Sequence, residues 1–192
     1  MSGGASLVQA FVELRAEDPE ATSALGVARA RLEAGRRLAA LRRLRVFEIA
    51  GELPEAAFVE SLLHRSTRFY NPIKERCTVR AAESAPAPFR AEESWLLVLD
   101  RGFERRPAAE RWWRHETGTR VEVREGTAWA LAFDPGEDAA QATASLAAVT
   151  DRAHGLLCNP QFQDWRAGAG PSPPWPWLAK KLPGRTRKEA TP

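Results

Sequence analysis

The chain has 192 residues, 44 % hydrophobic and 28 % charged, with a formal net charge of +3. That is enough apolar material for one large or two small cores, and no run of 18 apolar residues reads as a transmembrane helix. The charge argues against a nucleic-acid interface. Residues 168–192 hold five basic side chains against one acid, a balance of +4, so residues 1–167 carry −1, whereas a nucleic-acid-binding domain places its basic stripe on the folded face.

Met1-Ser2-Gly3-Gly4 has neither the basic region nor the long apolar stretch of a signal peptide, so the expected location is cytoplasmic, with Cys77 and Cys158 as thiols and not a disulfide. Leu7 to Leu14 alternates as a strand. Asp18-Pro19 reads as an N-cap followed by proline at the first helical position, and the helix carries Leu25, Ala28 and Leu32 to about Gly35. A strand over Leu41 to Ile49, a helix started by Pro54 and a strand at Cys77-Thr78-Val79 complete a first half, residues 1–80. Residues 81–94, rich in alanine and proline, read as a linker.

The second half, residues 95–167, repeats the order. Trp95 to Leu99 is an apolar strand, and Pro107 starts a helix bearing Trp112 and Trp113, of which one faces the core and the other is a candidate interface residue. Arg120 to Phe133 reads as two strands around Glu125-Gly126. Residues 138–157 read as one long alanine-rich helix with Leu157 buried in the core, stopped at Asn159-Pro160 because proline lacks the N–H and clashes with the preceding turn. A short strand follows. Strand, helix, strand or hairpin, helix, strand in each half predicts an α+β fold of two tandem ferredoxin-like units, each an antiparallel sheet with two helices on one face, or with one sheet shared between them. Residues 168–192 read as a disordered tail rich in proline, tryptophan and basic residues. Trp175 and Trp177 in it suit a partner contact, the alternative being a tail folded back on its own domain.

Leu156-Leu157-Cys158-Asn159-Pro160-Gln161-Phe162-Gln163-Asp164-Trp165 closely resembles the ending of the PurS family, the small subunit of phosphoribosylformylglycinamidine synthase. Val123-Arg124-Glu125-Gly126 is similar to that family's V-R-x-G turn, and Asp18-Pro19 and Phe47-Glu48-Ile49 look like its early D-P and later strand. Two diverged copies would cover about 150–160 residues. The first half departs from the pattern, because its Asn71-Pro72 lies beyond the family position, and a family member is a single short unit that self-associates.

The resemblance implies a non-catalytic assembly subunit of purine biosynthesis that bridges a synthetase (PurL-type) and a glutaminase (PurQ-type) subunit and supports ammonia transfer, with self-association also open. ATP and magnesium are expected on the synthetase partner and no cofactor on this chain; no nucleic acid or membrane partner is expected. The implied contact residues are Asn159, Pro160, Asp164, Trp165 and Arg124, joined by Trp175 and Trp177 of the tail. A tandem ACT-like module binding a small ligand is the alternative. Catalytic and metal readings find little to stand on. His64, His115 and His154 are scattered, no C-x-x-C occurs, and His154 with Cys158, four apart on the expected helix, lacks a third group to orient it.

Overall fold

The computed structural model describes residues 7–178. Six strands form one antiparallel sheet: β1 (Leu7–Leu14), β2 (Leu38–Gly51), β3 (Glu75–Arg80), β4 (Ser94–Asp100), β5 (Val121–Phe133) and β6 (Gln163–Ala169), in the order β3-β1-β2-β5-β4-β6. Four helices join them, α1 (Pro19–Arg31), α2 (Ala56–Arg65), α3 (Pro107–Thr117) and α4 (Ala139–Ala147). Asp18 caps α1 as its sequence predicts, its carboxylate accepting from the N–H groups of Glu20 and Ala21.

The two long strands meet at the centre, where β2 and β5 pair continuously from Ala40↔Ala132 to Gly51↔Val121. Each is therefore covered on both faces. Side chains alternate along a strand, so Phe47, Ile49, Val121 and Val123 meet α2 and α3 on one face, while Trp129, Leu131, Leu96 and Val98 meet α1 and α4 further along that same face. The opposite face, formed by Phe11, Leu44, Val46, Leu97, Ala128 and Ala130, carries no helix. It is covered by Ala87 and Phe89 from the connection between β3 and β4, and by Trp177 and Leu178.

This second layer corrects two expectations. Residues 81–94 are no free linker, since Ala87, Phe89, Glu93 and Ser94 are buried. The segment 168–178 is not a disordered tail. Residues 163–169 are strand β6, and Pro171–Leu178 crosses the sheet with Trp177 fully buried. The rest of the expected tail, residues 179–192, lies outside the described residues. The physical reason is coverage. Four helices lie on one side of a sheet that is apolar on both sides, so the remaining apolar segments are drawn onto the other.

Two element readings also change. Val121–Phe133 is one strand with no turn, and Gly126 serves close packing within it. A Cβ there would stand 2.7 Å from Leu99 Cδ2 and 3.1 Å from Leu178 Cδ2. The helix predicted over 138–157 stops at Ala147. Asp151 Oδ1 accepts the N–H groups of Ala153 and His154, an Asx turn that competes with helix. The chain then doubles back, and the N–H groups of Gly155, Leu156, Leu157 and Cys158 donate to the last carbonyls of α4, from Ser145, Leu146 and Ala147. Leu157 is half-buried in consequence.

An ion-pair cluster fastens the covering layer. Arg42 on β2 donates to both carboxylate oxygens of Glu93, at 3.1 and 2.8 Å, to Glu13 Oε2 at 2.9 Å and to the Pro88 carbonyl at 3.0 Å. Burial, with Glu93 2 % exposed, pushes its carboxyl pKa up, but Arg42 and the Arg90 N–H outweigh burial and hold it below the usual carboxylate value. A depressed folded pKa means stability that is present above the unfolded value, about 4.3, and lost as the pH falls through the folded one. Glu93→Gln is therefore expected to lower the melting temperature at pH 7 and to flatten its decline below about pH 4.3. A melting series from pH 2 to 7 checks this, and an unchanged acid limb would contradict it.

Candidate functional site

The Asn-Pro segment singled out in the sequence is a closed loop that leads into β6. The Asn159 side-chain Oδ1 accepts the N–H of Gln161 at 3.0 Å, and the Asn159 backbone N–H donates to Gln163 Oε1 at 2.8 Å. The Asn159 carbonyl in turn accepts the Gln163 N–H at 2.8 Å. Arg101, at the end of β4, closes the loop from outside. Its guanidinium donates to the carbonyls of Pro160 and Gln163, both at 3.2 Å, and to Asp164 Oδ1 at 2.8 Å, while its own N–H donates to the Phe162 carbonyl at 2.9 Å.

The same construction stands at the far edge of the sheet. Asn71 Oδ1 accepts the N–H of Ile73 at 3.0 Å, the Asn71 N–H donates to Glu75 Oε2 at 2.6 Å, and the Asn71 carbonyl accepts the Glu75 N–H at 2.8 Å. Arg15, at the end of β1, donates to the carbonyls of Pro72 and Glu75 at 3.2 and 3.1 Å, and its N–H to the Lys74 carbonyl at 2.9 Å. Asn71-Pro72 precedes β3 as Asn159-Pro160 precedes β6. Both loops hold an apolar side chain in solvent at the tip, Ile73 at 86 % exposure and Phe162 at 70 %.

Of the contact residues drawn from the sequence, Asn159, Pro160 and Asp164 come together around Arg101, and Trp165 follows on the helix face, half-buried beside α4 and Leu157. Arg124 stands apart on the helix-free face, where it donates to Glu122 at 2.5 Å. Trp175 and Trp177 are on that face too, and both serve the fold. Trp175 lies under the Arg80 guanidinium, 5.1 Å from the ring centre, and Trp177 packs 5.1 Å from Trp95 and 6.0 Å from Phe89. Burial takes Trp177 out of reach of a partner.

Sequence reading missed Arg15 and Arg101. Their signal was available in the spacing Asn-Pro-x-x-Glu at 71–75 and Asn-Pro-x-x-Gln at 159–163, two segments 88 residues apart, the same interval that separates Pro19 from Pro107.

Nucleophilic chemistry gains no support from the cysteines. Burial pushes the Cys158 thiol up to about 11 and the Cys77 thiol up to about 12, away from the thiolate form that reacts. His154 is exposed and pairs with Asp151 at 3.0 Å. Among the described residues no three His, Cys, Asp or Glu side chains group as metal ligands, and no helix is long and apolar enough to cross a membrane. No family model, curated protein or solved structure matches the chain.

Proposed function

We propose that this chain is a non-catalytic assembly subunit of PurS type, two short family units fused in tandem, which bridges a synthetase and a glutaminase subunit of phosphoribosylformylglycinamidine synthase. One observation carries the reading. The loop with the sharpest sequence resemblance occurs twice, with the same internal hydrogen bonds and the same arginine clamp, at opposite edges of one sheet. The strand order supports it. β1 lies between β2 and β3 as β4 lies between β5 and β6, and β2 pairs antiparallel with β5, as two self-associating units would join. Two rigid loops with exposed apolar tips give a bridge one contact at each end. Assembly of this sort shields a reactive intermediate from water and protonation, which asks for surfaces rather than nucleophiles.

The test is reconstitution. Added to the synthetase and glutaminase subunits, the chain is expected to restore glutamine-dependent amidination, with ammonia-dependent activity of the synthetase depending on it less. Loosening both clamps with Arg15→Ala and Arg101→Ala is expected to reduce the stimulation at least about ten-fold, the scale for losing contacts worth about 1.4 kcal/mol or more together. Glutaminase turnover by the chain alone, or no stimulation by the wild type, would refute the proposal.

A further inference from the structure

A groove of about 810 Å³ lies between α1 and the loop that follows α4, lined by Ala24, Val27, Trp129, Leu157 and Cys158, with Glu20 and Gln161 at its rim. That volume is in the range of small-molecule sites, which are mainly apolar with a few polar groups at the edge. Glu20 already pairs with Arg43, so the walls present no unanswered charge.

The chain itself supplies a template for what fits. Pro19 and Pro107 both stand at the first position of their helices, α1 and α3, and Ala21 and Ala109, each two residues on, are both buried. In that alignment Ala24 occupies the place of Trp112. The loops align through Asn159 and Asn71, which sets Leu157 against Phe69. The strand registers carry this inward: Phe47 pairs with Ala10 and Ala10 with Val79, Trp129 pairs with Leu96 and Leu96 with Ala167, and Val79 and Ala167 stand the same 88 residues apart, which sets Trp129 against Phe47. At the α3 site three rings stack edge to face, Phe47 to Phe69 at 5.4 Å and Phe69 to Trp112 at 5.8 Å. At the α1 site the strand still offers an aromatic ring, but the helix offers a methyl group where α3 offers an indole. One site is plugged by its own tryptophan and its counterpart is open.

We infer that the groove between α1 and residues 156–161 is a binding site for a neutral, planar aromatic small molecule of about indole size, its ring taking the place that Trp112 fills at the α3 site. The inference rests on the internal correspondence of the halves and not on the assembly role, so each can fail without the other. Apolar contact with Leu157, which stands where Phe69 meets the Trp112 ring, and with Val27 and Trp129, which also line the groove, supplies the affinity, and the exposed rim admits a substituent.

Indole is the probe, titrated against the full chain by calorimetry and by the shift of the Trp129 side-chain N–H in nuclear magnetic resonance. One saturable site per chain is expected, with a Kd on the order of 1 mM or tighter for a ligand of that size. Ala24→Trp, which copies the plugged site, is expected to weaken binding at least ten-fold while the melting curve shows a folded chain. Trp112→Ala is expected to open the second site and raise the stoichiometry to two. Absence of saturable binding by the wild type, undiminished binding by folded Ala24→Trp, or a single site in folded Trp112→Ala would overturn the inference. Should Trp112→Ala fail to fold, the Ala24→Trp comparison decides.

Discussion

Ending the chain after Gly170 is expected to abolish the cooperative thermal transition that a chain ending at Leu178 retains. The eight residues removed, 171–178, carry the centre of the helix-free core. Trp177 is wholly buried, with its ring 5.1 Å from Trp95, 6.0 Å from Phe89 and 6.3 Å from Phe11. The polar fastening goes with it. The Glu48 carboxylate, buried on β2, accepts the N–H groups of Trp177 and Leu178; Gln9 donates to the Pro174 carbonyl at 3.1 Å and Arg80 to the Pro173 carbonyl at 2.9 Å. Burial lowers the Arg80 pKa, a measure of how far from water this network stands. Truncation would remove these bonds, leaving those that Gln9, Glu48 and Arg80 make with one another and with the Ala85 and Glu83 carbonyls, and expose Phe11, Leu44, Val46 and Leu97.

Trp177→Ala alone is expected to cost about 3–5 kcal/mol, the usual range for deleting a large buried ring. That is a large share of a total stability of about 5–15 kcal/mol, and the truncation adds the lost hydrogen bonds at about 1 kcal/mol each. Melting followed by circular dichroism compares the three chains. A chain ending at Gly170 that melts within a few degrees of the reference would mean the crossing segment does not hold this face.

What the sequence shows and what it conceals follow from the range of the interactions. Asp18-Pro19, Pro107 and the apolar run of β4 were legible because caps and strand periods are local. The sequence leaves open whether each half keeps its own sheet or the two share one. Whether two sets of three strands stay separate or share a central pair depends on Phe47 facing Glu125 and Leu41 facing Leu131, contacts between residues 78 and 90 positions apart in the chain. β5 was split at Glu125-Gly126 because a glycine beside a charge usually marks a turn; its function here, room for Leu99 and Leu178, depends on what packs against it. Pro173-Pro174-Trp175-Pro176-Trp177 has loop composition, and only the need to cover a second apolar face makes it core. The candidate site divides the same way. Asn159-Pro160 announced itself, while Arg101 was one arginine among many until its carbonyl partners were in view.

Gly155 is the position on which the turn-back after α4 depends, and Gly155→Ala is the second substitution expected to have a large effect. Gly155 is buried with φ +82, a left-handed conformation that costs a residue with a Cβ roughly 1–2 kcal/mol. A Cβ there would also lie inside the van der Waals radius of the Ala148 carbonyl. The backbone would have to shift, and the N–H groups of Gly155 through Cys158 would leave the carbonyls of Ser145, Leu146 and Ala147, at about 1 kcal/mol for each bond lost. A total on the order of 5–6 kcal/mol corresponds to a melting temperature lower by roughly 10–24 °C in a chain of this size. Gly118→Ala supplies the control. Gly118 caps α3 with φ +74, but a Cβ there would meet nothing within 4 Å, so only the conformational cost of about 1–2 kcal/mol remains. The difference between the two variants measures the closeness of the turn-back to the end of α4. Equal melting temperatures would show that the segment 148–158 yields freely, and the helix end would then have to find its hydrogen bonds in water.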